Sequence, residues 1–120
     1  MPKHDLDAID YRIVSALQAD GRLSNVDLAE RGVAVLVNQP FGGGGLLRKL
    51  LSRKLPDWAG EIGCTSWAQI LLKFVLANPA VTAVIPGTGK PEHMKDNVQA
   101  GLGIYPDAAM LKKMLADVGV

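Results

Sequence analysis

Apolar residues recur at three- and four-residue intervals near the start of the chain. Ile9, Ile13, Ala16 and Leu17 fall on one face, which predicts a helix from the capping residue Asp7 to about Ala19. Asp20-Gly21 stops it, with glycine as the left-handed residue. Ser24 caps a second helix, with Asp27 three residues on as an acidic version of the capping box, and Gly32 ends it. The pattern then changes. Val33-Ala34-Val35-Leu36-Val37 is unbroken and rich in β-branched residues, so it reads as a strand covered on both faces. Asn38-Gln39-Pro40-Phe41 leads from it into four consecutive glycines, Gly42 to Gly45.

A short helix follows, with Leu46, Leu47, Leu50 and Leu51 on one side and Arg48, Lys49 and Arg53 on the other. Residues 55–65 carry no periodicity. Ser66, with Gln69 at the third position, opens a helix through Leu71, Leu72, Phe74, Val75 and Leu76 that ends at Asn78-Pro79. Val81 to Ile85 is a second short apolar strand, and Pro86-Gly87-Thr88-Gly89-Lys90 is a tight loop. Pro91 suits the first position of a helix to about Ala100, and Asp107 caps a last helix, Ala108 to Asp117. The expected fold is α/β: two parallel strands with flanking helices, joined by a right-handed crossover and preceded by a helical pair. Both strands open at their C-terminal ends into glycine-bearing loops that feed helices. In α/β folds ligands bind at that edge.

Composition narrows the function classes. The chain has 120 residues, 48% of them hydrophobic, enough for one small core. A formal net charge of +1 gives no field that would draw nucleic acid or an anionic membrane. The charge is nonetheless uneven: residues 1–31 hold four Lys/Arg against six Asp/Glu, and the remainder nine against six. A lone cysteine, Cys64, excludes an internal disulfide. No apolar run is long enough to span a bilayer, and the polar MPKHDLDAID start resembles no targeting peptide, so a cytoplasmic setting is expected.

The segment from Ile85 to Asn97 has the strongest chemical reading. Small residues let the backbone approach a ligand, and a helix N-terminus offers free N–H groups to a phosphate. Lys90, His93 and Thr88 add donors, and an Asn97 amide can donate and accept together on a purine edge. An ordinary strand-to-helix turn with solvated polar residues is the alternative. Other motifs fail. Gly87-Thr88-Gly89-Lys90 lacks the preceding glycine and following hydroxyl of a P-loop, since Val84 and Pro91 stand there. Cys64 has no histidine pattern that would make it a nucleophile, and no metal-ligand cluster is present. Arg48, Lys49, Arg53 and Lys54 read as a solvated face.

From Gly32 to about Val118 the chain resembles the last two β/α units of an aldo/keto reductase, a family of eight-stranded β/α barrels. After the final strand that family carries Ile-Pro-Lys-Ser, then Arg, then Glu-Asn. Ile85-Pro86-Gly87-Thr88, His93 and Asp96-Asn97 stand here at matching spacing. Asn38-Gln39-Pro40-Phe41-Gly42 resembles the loop after the preceding strand, and Trp67-Ala68-Gln69 with Asn78-Pro79 resembles the helix between. The resemblance implies NADP(H) as the cofactor. It places Gln39, Phe41 and Gly43 along the pyrophosphate, Gly87, Thr88, Lys90 and His93 near the adenosine phosphate, and Asp96 and Asn97 at the adenine. Gly87 and His93 stand where the family has lysine and arginine, which removes two charged contacts to the 2′-phosphate. Asn38 stands where a tyrosine stacks on the nicotinamide. The family's catalytic Asp, Tyr, Lys and His have no counterparts in this sequence. Tyr11 and Tyr105 read as half-buried packing residues and His4 as solvated.

Residues 5–31, through Leu6-Asp7-Ala8-Ile9-Asp10, Leu17 to Ser24 and Asp27-Leu28-Ala29, resemble the start of an Lrp/AsnC-type regulator. That family reads DNA with a second helix, and here the Val33 run stands in its place. The expectation is therefore a hybrid: an incomplete helix-turn-helix over 1–31 and a barrel fragment over 32–120. The fragment is expected to carry part of a nicotinamide-nucleotide site without turnover of its own. A DNA-binding or regulatory module and a ligand-free structural or chimeric protein are the alternatives, and DNA binding is not expected. Two parallel strands leave both sheet edges open, so self-association into a homo-oligomer is expected.

Overall fold

A computed structural model describes residues 24–119. The chain divides into two compact units, residues 1–35 and 36–120. The helix expected from Asp7 to Ala19, with His4 and Tyr11, lies outside the described residues. In the first unit α1 spans Asn25–Glu30. Its capping box is complete: Ser24 Oγ accepts from the Asp27 N–H at 3.2 Å, and Asp27 Oδ2 accepts from the Ser24 N–H at 3.0 Å. These bonds hold the Asp27 carboxyl below its usual range. Gly32, at φ +79°, then turns the chain out of the helix.

The second unit runs β1 (Leu36–Asn38), a 3₁₀ turn (Gly42–Gly44), α2 (Gly45–Leu50), a 3₁₀ segment (Asp57–Ile62), α3 (Trp67–Leu76), β2 (Ala83–Ile85), α4 (Pro91–Gln99) and α5 (Ala108–Val118). The strands pair in parallel, with Leu36 opposite Ala83, Val37 opposite Val84 and Asn38 opposite Ile85. This is the expected α/β unit, two parallel strands with flanking helices, and it is not closed into a barrel.

The strands differ from expectation in position and burial. The apolar run begins at Val33, yet the ladder begins at Leu36, and β2 likewise starts at Ala83 rather than Val81. Covering on both faces does not hold either: Leu36 is 60% and Ile85 53% exposed. An apolar, β-branched run reports a tendency to be buried, and among the described residues no further layer covers Leu36 and Ile85.

The core lies among the helices. Leu50, Trp58, Ile62, Trp67, Ile70, Leu71 and Met114 are buried together. The stretch that carries no periodicity in sequence, 55–65, supplies much of it, because Asp57–Ile62 coils tightly enough to bury Trp58, Ala59 and Ile62. Trp58 Nε1 donates to Asp117 Oδ2 at 2.6 Å, Trp67 Nε1 donates to the Arg53 carbonyl at 3.0 Å, and Arg53 donates to the Asp117 carbonyl at 3.0 Å. The two indoles thus bury large apolar area while keeping their N–H groups bonded. Asp107 caps α5 by accepting from the Met110 N–H.

Lys73 lies in the middle of α3 and is 0% exposed. Its ammonium donates to the carbonyls of Leu102 (2.6 Å) and Ile104 (2.9 Å) and sits 4.9 Å from the centre of the Tyr105 ring. A buried charge requires such partners, and here they fix the loop between α4 and α5. Tyr105 is accordingly on the surface, its hydroxyl donating to the Gly101 carbonyl. Lys73→Met keeps the volume but removes both bonds. It is expected to cost about 2 kcal/mol of stability, read as a lower urea midpoint with an unchanged slope.

Candidate functional site

The two parallel strands end on the same edge, and the loops that leave them meet there. Asn38, Gln39, Pro40, Phe41, Gly43 and Gly44 from the first strand end, with Ile85, Pro86 and Gly87 from the second, line an open cleft of about 500 Å³. The backbone of the first loop is unusual. Gln39 sits at φ +49°, and Gly42, Gly43 and Gly44 follow at +59°, +75° and +85°. A side chain at any of the three glycines would be strained, which accounts for the glycine run. The space in front of them is open.

A second cleft of about 330 Å³ adjoins the first, with Phe41 and Gly87 bordering both. Leu47, Leu51 and Ala68 provide apolar wall, and Ser66, Thr88, His93, Asp96 and Asn97 provide polar groups. Leu51 is therefore exposed toward a cleft rather than packed with its neighbours on α2.

Helix α4 orients three of these residues. Pro91 occupies its first turn, and Lys90 precedes it without a side-chain cap. His93 stands at the open end of this helix and is exposed. Asn97 is only 8% exposed, and among the described residues no protein group pairs with its side-chain amide. Asp96 differs. Its Oδ2 accepts from Ser66 Oγ at 2.6 Å and its Oδ1 from Gln69 Nε2 at 2.7 Å. Ser66 Oγ also accepts from the Gln69 N–H and so caps α3. Gln69 completes the network by accepting from the Thr65 N–H at 2.8 Å. Asp96 is thereby held to the start of α3, and it fixes the face of α4 from which Asn97 enters the cleft.

Of the residues singled out in sequence, Gln39, Phe41, Gly43 and Gly87 border the first cleft, and Phe41, Gly87, Thr88, His93, Asp96 and Asn97 the second. Lys90 borders neither; its N–H donates to Thr88 Oγ1 at 3.2 Å and braces the loop. Ser66 and Ala68 were not singled out as site residues. The capping pattern signals Ser66 as a structural residue, and nothing in its spacing shows that its hydroxyl also meets Asp96. The second cleft offers an amide, a hydroxyl and an imidazole over apolar walls, a set able to meet a flat group with hydrogen-bonding edges. Among the described residues no three His, Cys, Asp or Glu side chains gather to hold a metal. No helix among them is long and apolar enough to cross a membrane.

The aldo/keto reductase family model matches residues 23–110, and the model of the AsnC-type helix-turn-helix domain matches residues 6–31. The chain therefore belongs to the aldo/keto reductase family. No individual curated protein matches it. The two matches share residues 23–31, which include α1.

Cys64 lies near this site but is buried, and burial pushes its thiol above the ordinary value. Less thiolate is then present at pH 8 than for a free cysteine. Native protein is expected to react with a disulfide reagent more slowly than free cysteine. Unfolding in urea should restore the normal rate.

Proposed function

We propose that the two clefts hold the adenosine and pyrophosphate end of a nicotinamide nucleotide, NADP(H), and that this chain does not itself carry out hydride transfer. The observation that carries the reading is Asn97: a largely buried residue whose side-chain amide has no protein partner among the described residues and opens onto the wall of a cleft between strand-end loops. That amide is free to donate and to accept together, and a purine edge supplies both the acceptor and the donor it can meet. Leu47, Leu51 and Phe41 suit the faces of the base. The glycine turn at 42–44 leaves open space for a pyrophosphate against backbone. Family membership supports the nucleotide class.

NADP(H) supplies a hydride when bound, and this chain's own residues serve to bind and orient it. His93 and Thr88 are the groups placed to meet a ribose phosphate. Asn38, at the end of β1, has no ring with which to cover a nicotinamide. No residue in the clefts has the tyrosine–lysine pairing that would deliver a proton to a carbonyl. The nucleotide reading is preferred to a DNA-reading role because α1 is followed by Gly32 and the run into β1, where a groove-entering helix would otherwise stand. The net acidic balance of residues 1–31 also opposes contact with phosphates.

Titration calorimetry is expected to give a Kd below about 1 mM for NADPH, equivalent to about −4 kcal/mol. Asn97→Leu should weaken binding roughly tenfold, about 1.4 kcal/mol, without lowering the urea midpoint. NADPH consumption with carbonyl substrates should stay at background. No binding of NADPH or NADH at millimolar levels sinks the proposal, and turnover by the chain alone sinks its second half.

The same fold supports self-association. No other strand among the described residues pairs with the outer edge of β1 or β2, and Leu36 and Ile85 expose apolar surface beside those edges. Natural sheets rarely leave such edges bare. Sedimentation velocity is expected to show concentration-dependent species heavier than 12.8 kDa; one compact 12.8 kDa species at all concentrations removes this part of the reading.

A further inference from the structure

Further along α3 lies a cavity that the nucleotide reading does not use. It measures about 210 Å³, lies between the turn at Pro40 and helices α2, α3 and α5, and is open to solvent on one side. Ile70 and Met114 form a fully buried floor, while Leu46, Phe74, Val75 and Leu115 stand around the mouth. Every side chain that lines it is apolar.

Three features decide what such a space takes. Water at these walls finds no side-chain partner, so an apolar group displaces it favourably; an enclosed apolar cavity of about 150 Å³ accepts benzene, and this half-open space is larger than that. Its walls are also braced from outside and do not rely on one another. Asp117 near the end of α5 accepts from Trp58 at 2.6 Å, and its carbonyl accepts from Arg53 at 3.0 Å. The start of α3 is tied to α4 through Ser66 and Asp96. Closing the cavity would require moving helices against these bonds, so the space is pre-organised and a ligand need not open it. Finally, no cation or anion lines it, which excludes carboxylate, ammonium and phosphate groups from its interior.

We propose that this cavity is a binding site for a small uncharged apolar molecule, a single aromatic ring or branched aliphatic of about six to ten heavy atoms. It is separate from the nucleotide clefts: it shares only Pro40 with the first and no residue with the second. Binding at one is therefore testable without the other.

The test uses the full chain with toluene and indole as probes and benzoate and benzylamine as charged controls, followed by thermal denaturation and ligand-observed NMR. The expected result is saturable binding of toluene and indole and a rise in Tm of a few degrees at roughly ten times Kd. Neither control should bind. Val75→Phe and, independently, Leu115→Phe fill the mouth from half-buried or exposed positions; each should weaken binding at least tenfold while near-ultraviolet circular dichroism stays native. Absence of saturable binding overturns the proposal. Equal binding by the charged controls, undiminished binding in a folded filled variant, or loss of probe binding as self-association proceeds does so as well, the last pointing to a second copy as the occupant.

Discussion

The structure depends on keeping α3 fixed against α4, and a single carboxylate does most of this. Asp96 takes one hydrogen bond from Ser66 and one from Gln69, both in the first turn of α3. Those residues also cap the helix, so the contact that starts α3 is the contact that docks it. Lys73, two turns on from Ser66, repeats the device by holding the loop beyond α4 through two carbonyls. Between them these groups hold α4 and the loop after it against α3. The second strand is only three residues long and pairs with one neighbour, so the ladder adds little to this.

The candidate site follows from that placement. A parallel pair brings both strand ends to one edge, which sets the glycine turn at 42–44 beside the loop at Gly87. The Asp96 clamp then turns α4 so that Asn97 enters the cleft with its amide unspent. The site is weak in charge: His93 is the one basic side chain bordering the second cleft, and Asp96, although bonded, is an anion at its wall. A pyrophosphate would rest chiefly on backbone and on His93, and the base on Asn97 and apolar walls. The proposed division of labour, binding without turnover, reflects what these residues are able to do.

Local chemistry was readable in the sequence. Ser24, Ser66 and Asp107 cap helices as their spacing indicates, and Pro91 opens α4, because a cap needs only residues three positions apart. The order of motifs around Gln39, Ser66 and Thr88 was enough to identify the family. What depends on distant partners was not readable. Lys73 in a helix reads as a surface residue until residues 29 and 31 positions away supply its acceptors. The bonds from Ser66 and Gln69 to Asp96 join residues 30 and 27 positions apart, which no local pattern signals. Trp58 gave no periodic signal because a 3₁₀ segment buries its residues at a different spacing from an α-helix. The strands were placed too early because apolar, β-branched residues at Val33 to Val35 favour a strand without supplying a partner, whereas pairing begins at Leu36, opposite Ala83, the first residue of β2.

The central claim is that the two strand-end loops and the first turns of α4 form one nucleotide cradle. Amide chemical-shift mapping of the isotope-labelled chain during NADPH addition tests it most directly. The account predicts saturable shifts at Gly43, Gly44, Gly87, Thr88 and His93 and at the Asn97 side-chain amide, with Leu115 and Val118 on α5 unmoved. Shifts absent from both loops, or spread over α5 instead, would contradict it.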